Sequence, residues 1–234
     1  MTCFKDLNDP TELDYGFKLY RSLIKHLHYY GCHQDFVMSH QSFLEADSKE
    51  RLMEFFNFSC SQEIDLLGQW KEYGDHGRGI CFEIVLNELE NSNSLIGIVD
   101  YNYQSHVNHV KRTYKIFTEH LIKESKRKNI QDVLYSREFA LALFQSQYAS
   151  SSFMKHNGWK EENEIRLINL RSALDKDIVI LGGKRRIRKK IDLEVITKVM
   201  WGPRVTQEEI DETTKTYSDF FNKTYHSNSK IPWR

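Results

Sequence analysis

Glu162, Glu164 and Arg166 alternate along the chain in the pattern that is best suited to chemistry. Because residues two apart in a β-strand share a face, we expect the three side chains to form a row, with Ile165 and Leu167 facing the core. A carboxylate on a rigid strand can stabilise positive charge on a sugar ring during transfer from a glycosidic bond. The alternative is an exposed strand face, on which a Glu164–Arg166 pair contributes about 0–1 kcal/mol to stability.

A second polar and aromatic segment contains Trp70 and Tyr73, followed by the glycines of residues 74–79. Two aromatic rings at the end of a helix can stack on a flat heteroaromatic ring. The backbone amides of residues 77–79 can approach phosphate oxygens, as in other anion-binding turns. The alternative is that Trp70 packs in the core and that the glycines only permit a turn.

A third candidate is a basic run that can bind phosphate groups or nucleic acid. The alternative is a solvated edge strand or hairpin, for which long basic side chains are common. Nucleic-acid binding would predict an affinity that falls steeply with salt. The residues are Lys184, Arg185, Arg186, Arg188, Lys189 and Lys190.

Several histidines and one cysteine lie close together near the start of the chain, at His26, His28, Cys32 and His33. On a helix, His28 and Cys32 would share a face, whereas His26 and His33 would not. The spacing matches no known zinc pattern, and we therefore expect no metal.

The elements that position these residues are helices in blocks between isolated strands, a pattern that favours an α+β fold with a mixed or antiparallel sheet. We expect a single domain over residues 1–223 and a flexible polar tail over residues 224–234. Helices are predicted over residues 9–31, much of 42–57, 62–73, 106–127, 131–153 and 206–222. Strands are predicted over residues 56–59, 80–85, 95–103, 163–170, 177–181 and 193–201.

The composition limits the classes of function. The formal net charge of this 234-residue chain is zero, so any attraction to nucleic acid or membrane must be local. The four cysteines show no CxxC spacing, which is typical of reduced thiols in a cytoplasmic protein. No apolar run approaches the roughly 20 residues of a membrane span. The sequence therefore predicts a cytoplasmic protein, and it leaves the oligomeric state open.

Four motifs, in the same order, resemble a bacterial family, domain-of-unknown-function family 2971. The family pattern L-N-D-P-x-E is similar to residues 7–12, and its S-F-S, D-x-L, W-x-x-Y-G and G-x-G series is similar to residues 58–79. Its K-H, aromatic and E-x-E-x-R stretch is similar to residues 155–166, and its closing I-x-x-I-x-x-G-P is similar to residues 196–203.

The motif order in turn resembles ADP-ribosyltransferases, and this resemblance implies an NAD site. Glu164 would hold the nicotinamide ribose and Glu162 would orient the acceptor, a protein or a nucleic acid. Trp70 or Tyr73 would stack on nicotinamide. The resemblance also places Ser59 at this site, and Arg78 and Arg166 near the phosphates. The expected activity is ADP-ribosyl transfer or NAD hydrolysis, as in a toxin or a phage-defence effector.

The family pattern usually begins with a His-bearing strand before N-D-P, and no such segment precedes residue 7 here. An NAD site without that histidine would lack a ribose-holding group, so the resemblance implies either that the start is misassigned or truncated or that this member has lost activity. The alternative function is a non-catalytic module that binds nucleic acid through the basic run.

Overall fold

A six-stranded antiparallel sheet forms the centre of the molecule in the computed structural model. The model describes residues 1–3, 12–24, 26, 34, 36–38, 53–86, 94–134, 136–188 and 190–233. The strands are β1 Thr2–Cys3, β2 Met53–Ser61, β3 Ile80–Ile84, β4 Ser94–Ile98, β5 Glu164–Ser172, β6 Ile178–Leu181, β7 Lys184–Ile187, β8 Ile196–Trp201 and β9 Tyr225–Asn228. The strand order in the six-stranded sheet is β4-β5-β2-β1-β7-β6.

The longest pairing in this sheet joins β2 and β5 in antiparallel register from Met53 opposite Ser172 to Ser61 opposite Glu164. This register places Ser59 directly opposite Arg166. Strand β4 covers the other edge of β5, where Gly97 is opposite Arg166. Glu164 and Arg166 of the E-x-E-x-R motif therefore lie on an interior strand rather than on an edge.

A second, three-stranded sheet is formed by β3, β8 and β9. Strands β3 and β8 are antiparallel, whereas β8 and β9 are parallel. The sequence predicted a flexible tail from residue 224, and the structure differs because Tyr225–Asn228 extends this sheet. The segment is also held beyond β9, since the carboxylate of Asp65 accepts hydrogen bonds from the Ser229 hydroxyl at 2.7 Å and from the Lys230 amide at 2.9 Å.

The described helices do not form a single layer, because some pack on the large sheet and others on the small one. The helices are α1 Glu12–Ile24, α2 Leu67–Glu72, α3 Tyr103–Ser125, α4 Ile130–Leu134, α5 Arg137–Ser151, α6 Gln207–Thr216 and α7 Ser218–Phe221. Side chains of Asn102 and Ser136 cap α3 and α5, and the predicted capping box of Thr206 and Glu209 opens α6.

Both faces of the large sheet are covered. Helices α1 and α5 pack on one face through a cluster that includes Leu13, Phe55, Tyr148 and Ile168. A second cluster, in which Leu167 meets Val195, fills the space between the two sheets. The α+β class with mixed sheets is thus confirmed, and alternate residues of β5 face two different apolar layers.

Several element boundaries differ from the sequence prediction. The helix predicted over 62–73 is limited to α2, and the strand predicted over 95–103 ends at Ile98. Residues 53–55, predicted as helical, belong to β2 together with the predicted strand 56–59, and the predicted helix start at residues 9–11 lies outside the described residues. Strand β7, which was expected only under the alternative interpretation of the basic run, pairs with β6 across Gly182 and Gly183, whose φ angles of +60° and +72° suit a tight hairpin turn.

Among the residues that the structure describes, no helix is both long enough and apolar enough to cross a lipid bilayer.

Candidate functional site

A tight reversal between α5 and β5 brings the residues of the K-H and E-x-E-x-R motifs together. Residues Asn157–Glu162 form a 3₁₀ turn, and the His156 side chain caps it by accepting a hydrogen bond from the Gly158 amide at 3.1 Å. Asn163 then takes a left-handed conformation, with φ 45° and ψ 55°, before β5 begins. Asparagine adopts this conformation more readily than most residues, so the reversal is encoded locally.

The result is a charged cluster of Lys155, Glu162, Glu164 and Arg166. The Arg166 guanidinium donates from Nε to Glu164 Oε1 at 2.9 Å and from Nη2 to Glu164 Oε2 at 2.8 Å. Lys155 Nζ donates to Glu162 Oε2 at 2.5 Å and to Glu164 Oε2 at 3.3 Å. Two cations and two carboxylates therefore balance in charge, and the bidentate pair fixes the plane of the Glu164 carboxylate.

This cluster is interior, so the alternative of an exposed strand face with a Glu164–Arg166 pair is wrong. Only 5% of Glu164 and none of Arg166 is exposed. Glu162 is not part of the strand, because it lies in the preceding turn. The third arm of Arg166 donates from Nη1 to the Ser152 carbonyl at 2.7 Å, at the end of α5, where the helix dipole favours a cation.

The carboxyl group of Glu164 is held in its charged form. Burial alone would raise its pKa, but hydrogen bonds and charge from Arg166, a hydrogen bond from Ser59 and the charge of Lys155 together lower the pKa below its ordinary value of 4.5. A buried carboxylate with these partners cannot act as a proton donor at neutral pH. It can stabilise a developing positive charge.

This shift predicts a specific dependence of stability on pH. Because the folded-state pKa of Glu164 lies below its unfolded value, its contribution is complete above about pH 4.5 and is lost as the pH falls through the folded-state pKa. We expect Glu164→Gln to remove up to about 1.4 kcal/mol per pH unit from the acid slope of the unfolding free energy. Denaturant unfolding between pH 3 and 6 measures both slopes. Identical slopes for the variant and the wild type would contradict the prediction.

Polar and aromatic groups surround the cluster. The Tyr101 hydroxyl accepts a hydrogen bond from the Glu164 amide at 3.0 Å, and Asn57 Nδ2 donates to Ser59 Oγ at 2.7 Å. The Trp159 ring lies 5.3 Å from Lys155 Nζ and remains 49% exposed. The structure thus brings Ser59 to the cluster, as the resemblance implied.

Burial, followed by the charges of Cys81 and Glu164, raises the pKa of Cys60 to about 11, so the Cys60 thiol stays neutral.

Sequence reasoning assigned no role to Lys155, Tyr101 or Trp159. Lys155 and Trp159 were part of the family motif, and their spacing from Glu164 was the available signal. Tyr101 gave no such signal, because it meets the cluster only through the fold: the Val99 amide donates to the Glu164 carbonyl at 2.9 Å.

The Trp70 segment is anchored beside this site. Gln62 donates to Asn163 from its amide at 2.8 Å and from its side chain at 2.9 Å, and α2 contacts the turn of residues 157–162. Trp70 itself is only 3% exposed, and its indole N–H donates to Asp65 at 2.8 Å. Tyr73, which is 69% exposed, is the more accessible of the two rings that were expected to stack on a ligand.

The glycine-rich turn does not present its amides to solvent. The Gly77 and Gly79 amides both donate to the Gly74 carbonyl, at 2.9 and 2.8 Å, and the Arg78 amide donates to the Asp75 carbonyl at 3.1 Å. In this conformation the three amides are used within the turn, contrary to the expectation that they approach a phosphate. The Arg78 side chain is exposed, and its positive charge interacts electrostatically with the Glu209 carboxylate at the start of α6.

The basic run divides between the sheet and solvent. Arg185 pairs with the buried Glu54 and lies 3.7 Å from Cys3 Sγ. Lys184 and Arg186 are half-buried, Arg188 and Lys190 are exposed, and Lys189 lies outside the described residues. Nucleic-acid binding through this run stays a prediction.

The proposed histidine and cysteine group cannot be placed as a whole, because His28, Cys32 and His33 lie outside the described residues. Among the residues that are described, no three His, Cys, Asp or Glu side chains come together in a way that could hold a metal ion.

Comparison with known proteins supports one family. A family described as "Protein of unknown function (DUF2971)" matches residues 69–167, a range that includes Trp70, the glycine-rich turn and the whole charged cluster. This match confirms the resemblance seen in the motifs. No curated protein and no solved structure matches the chain.

Proposed function

We propose that this protein is an NAD-consuming enzyme whose site is the charged cluster, which lies within the residues 69–167 that match DUF2971. It transfers ADP-ribose to a protein or nucleic-acid acceptor, or it hydrolyses NAD. The supporting observation is a carboxylate, Glu164, that is buried and yet kept ionised by Arg166 and Lys155. Titratable groups with perturbed pKa values cluster at functional sites more often than elsewhere.

A gain in stability does not by itself explain why these charged side chains are buried together. Buried ion pairs are often no more stabilising than apolar residues of the same size, because both charges must be desolvated. A chain that buries Lys155, Glu164 and Arg166 together gains a fixed carboxylate rather than a large stabilisation. A fixed carboxylate is what cleavage of a glycosidic bond requires.

In the proposed reaction, Glu164 stabilises the positive charge that develops on the ribose as the bond to nicotinamide breaks. The electron pair of that bond goes to the nicotinamide nitrogen. The contact of Lys155 with Glu164, at 3.3 Å, is longer than either contact of Arg166 with Glu164, so a ribose hydroxyl can replace Lys155 more easily than Arg166. Glu162, which is closer to solvent, orients the acceptor. The exposed rings of Trp159 and Tyr73 offer stacking surfaces, and the exposed Arg78 supplies charge for the phosphates, whereas Arg166 is held by Glu164 and the Ser152 carbonyl.

The proposal is tested by incubating the protein with NAD and measuring released nicotinamide by chromatography. We expect Glu164→Gln to lower release by about 10²-fold or more, because it removes the charge that stabilises the transition state. Glu162→Gln should lower transfer to an acceptor more than hydrolysis. Glu161→Gln, at an exposed neighbouring acid, is the matched control and should leave release unchanged.

Each variant is checked for folding by thermal unfolding before the assay, since Glu164→Gln leaves Arg166 without its main partner. Equal release from the wild type and folded Glu164→Gln, or no release from the wild type, would overturn the proposal. We further propose a cytoplasmic bacterial effector, a toxin or a phage-defence protein, a setting in which Cys60 and Cys81 remain thiols.

A further inference from the structure

A second polar chain, outside the charged cluster, links α1 to α3. The Tyr15 hydroxyl lies 3.1 Å from His106 Nδ1, and His106 Nε2 lies 2.7 Å from the Asp100 backbone carbonyl. The Asp100 carboxylate is 3.7 Å from the same nitrogen. His106 is buried, Tyr15 is half-buried, and the Asp100 side chain is partly exposed. The half-buried Tyr15 is therefore hydrogen-bonded to the buried base His106, which in turn contacts Asp100.

The partners fix the protonation pattern of a neutral His106. A carbonyl oxygen can only accept, so Nε2 must carry the proton that it donates to Asp100. Nδ1 then has a free lone pair, and the hydrogen bond between it and Tyr15 must be donated by the phenol. When His106 takes up the phenol proton, the resulting imidazolium faces both the carbonyl and the carboxylate of Asp100.

The polar chain of Tyr15, His106 and Asp100 lies next to the charged cluster. The Asp100 carbonyl that holds His106 also accepts from the Lys155 amide at 3.0 Å, and the Asp100 amide donates to the Phe153 carbonyl at 2.8 Å. The ring of Tyr15 meets the exposed His156 edge-on, with centroids 6.1 Å apart. His156 directly follows Lys155, so the Tyr15 ring packs against the segment that carries Lys155.

We propose that Tyr15, backed by His106, accepts the proton of the attacking water or acceptor hydroxyl when NAD is cleaved. This inference rests on the proposed function and extends it by naming the proton acceptor, because Glu164 is occupied by Arg166 and Lys155. Tyr15 is the catalytic residue, whereas His106 and Asp100 are positioning residues that act through it.

The step balances without a further reagent. As the nucleophile's oxygen bonds to the ribose C1′, its proton moves to the Tyr15 oxygen, and the Tyr15 proton moves to His106 Nδ1. The C1′–nitrogen bond breaks with its electron pair on nicotinamide. Burial, together with the nearby groups of Tyr103 and Asp100, raises the pKa of Tyr15, so the phenol must pass its proton on as it accepts another.

Tyr15→Phe provides the test, because it keeps the ring and removes only the hydroxyl. We expect the rate of nicotinamide release to fall by about 10²–10⁴-fold with little change in KM. Azide is an anionic nucleophile with no proton to lose, so adding it should restore release in this variant and yield ADP-ribosyl azide. His106→Gln should behave in the same way. Tyr103→Phe, at an exposed tyrosine near Tyr15, should match the wild type.

The outcomes separate the two proposals. Release by Tyr15→Phe at the wild-type rate would overturn the proton-transfer role and leave the proposed function standing. A slow Tyr15→Phe that azide does not restore would also overturn it, since the loss would then be structural. No release by the wild type, with or without azide, would overturn the proposed function and the role of Tyr15 with it.

Discussion

Replacing Arg166 by leucine is expected to lower the free energy of unfolding by about 3–5 kcal/mol, the usual result of removing one partner from a buried ion pair. For a chain of this size, that corresponds to a drop in Tm of roughly 6–20 °C. Arg166 is completely buried and makes two of the polar contacts of Glu164. Without it, the Glu164 carboxylate keeps only its weaker contacts in an environment of low dielectric constant.

Two further variants, a surface control and a double variant, test whether the loss arises from the buried ion pair. Arg127→Leu, at an exposed arginine in the turn after α3, should change the unfolding free energy by no more than about 0.5 kcal/mol. The double variant Glu164→Leu with Arg166→Leu should be more stable than Arg166→Leu alone, because no buried charge is then left without its guanidinium partner. A loss below about 1 kcal/mol for Arg166→Leu would show that the cluster relaxes or hydrates.

Gly16→Ala is expected to destabilise the protein by about 1–3 kcal/mol, although alanine is the better helix former. A Cβ atom added at Gly16 would lie 2.5 Å from Ser151 Cβ and 2.6 Å from Ser151 Cα. Helices α1 and α5 are in contact at this point, and the second of these atoms belongs to the backbone. Moving it requires α1 and α5 to separate, which would also loosen their shared packing on the sheet.

Gly68→Ala is the matched control, because Gly68 also lies in a helix and a Cβ atom there would meet nothing within 4 Å. It should be neutral or stabilising, by up to about 1 kcal/mol. Ser151→Gly should recover only part of the loss in Gly16→Ala, since the backbone contact remains. Chemical denaturation of the four proteins measures these differences, and equal effects at Gly16 and Gly68 would contradict the close approach of α1 and α5.

Local patterns predicted much of the fold, because the signals act over a few residues. The Thr206–Glu209 capping box, the turn at Gly182 and Gly183 and strand β5 lie where the sequence places them. Strand β9 was missed because its Tyr225–Asn228 segment is polar, and its pairing partner β8 lies elsewhere in the sequence. Tertiary pairing overrides local preference in such a case.

The candidate site was predictable in its residues but not in its geometry. Spacing identified Glu164 and Arg166, whereas Lys155 and Trp159 belonged to the family pattern without an assigned role. The pattern could not show that helices cover this face of β5, since alternation along one strand does not reveal what packs on either side. For the same reason, the link from Tyr15 to His106 was invisible, because the two residues are 91 positions apart and meet only through helix packing.

The pairing of distant segments has a consequence for how the chain is made. Strand β1 pairs with β2 on one edge and with β7 on the other, so its second edge stays unpaired until Arg186 has been synthesised. The small sheet is completed later, because β9, the parallel partner of β8, ends at Asn228. Contacts of such long sequence separation form slowly, and both sheets stay incomplete during translation. An activity that needs both sheets can therefore begin only after residue 228 has been synthesised.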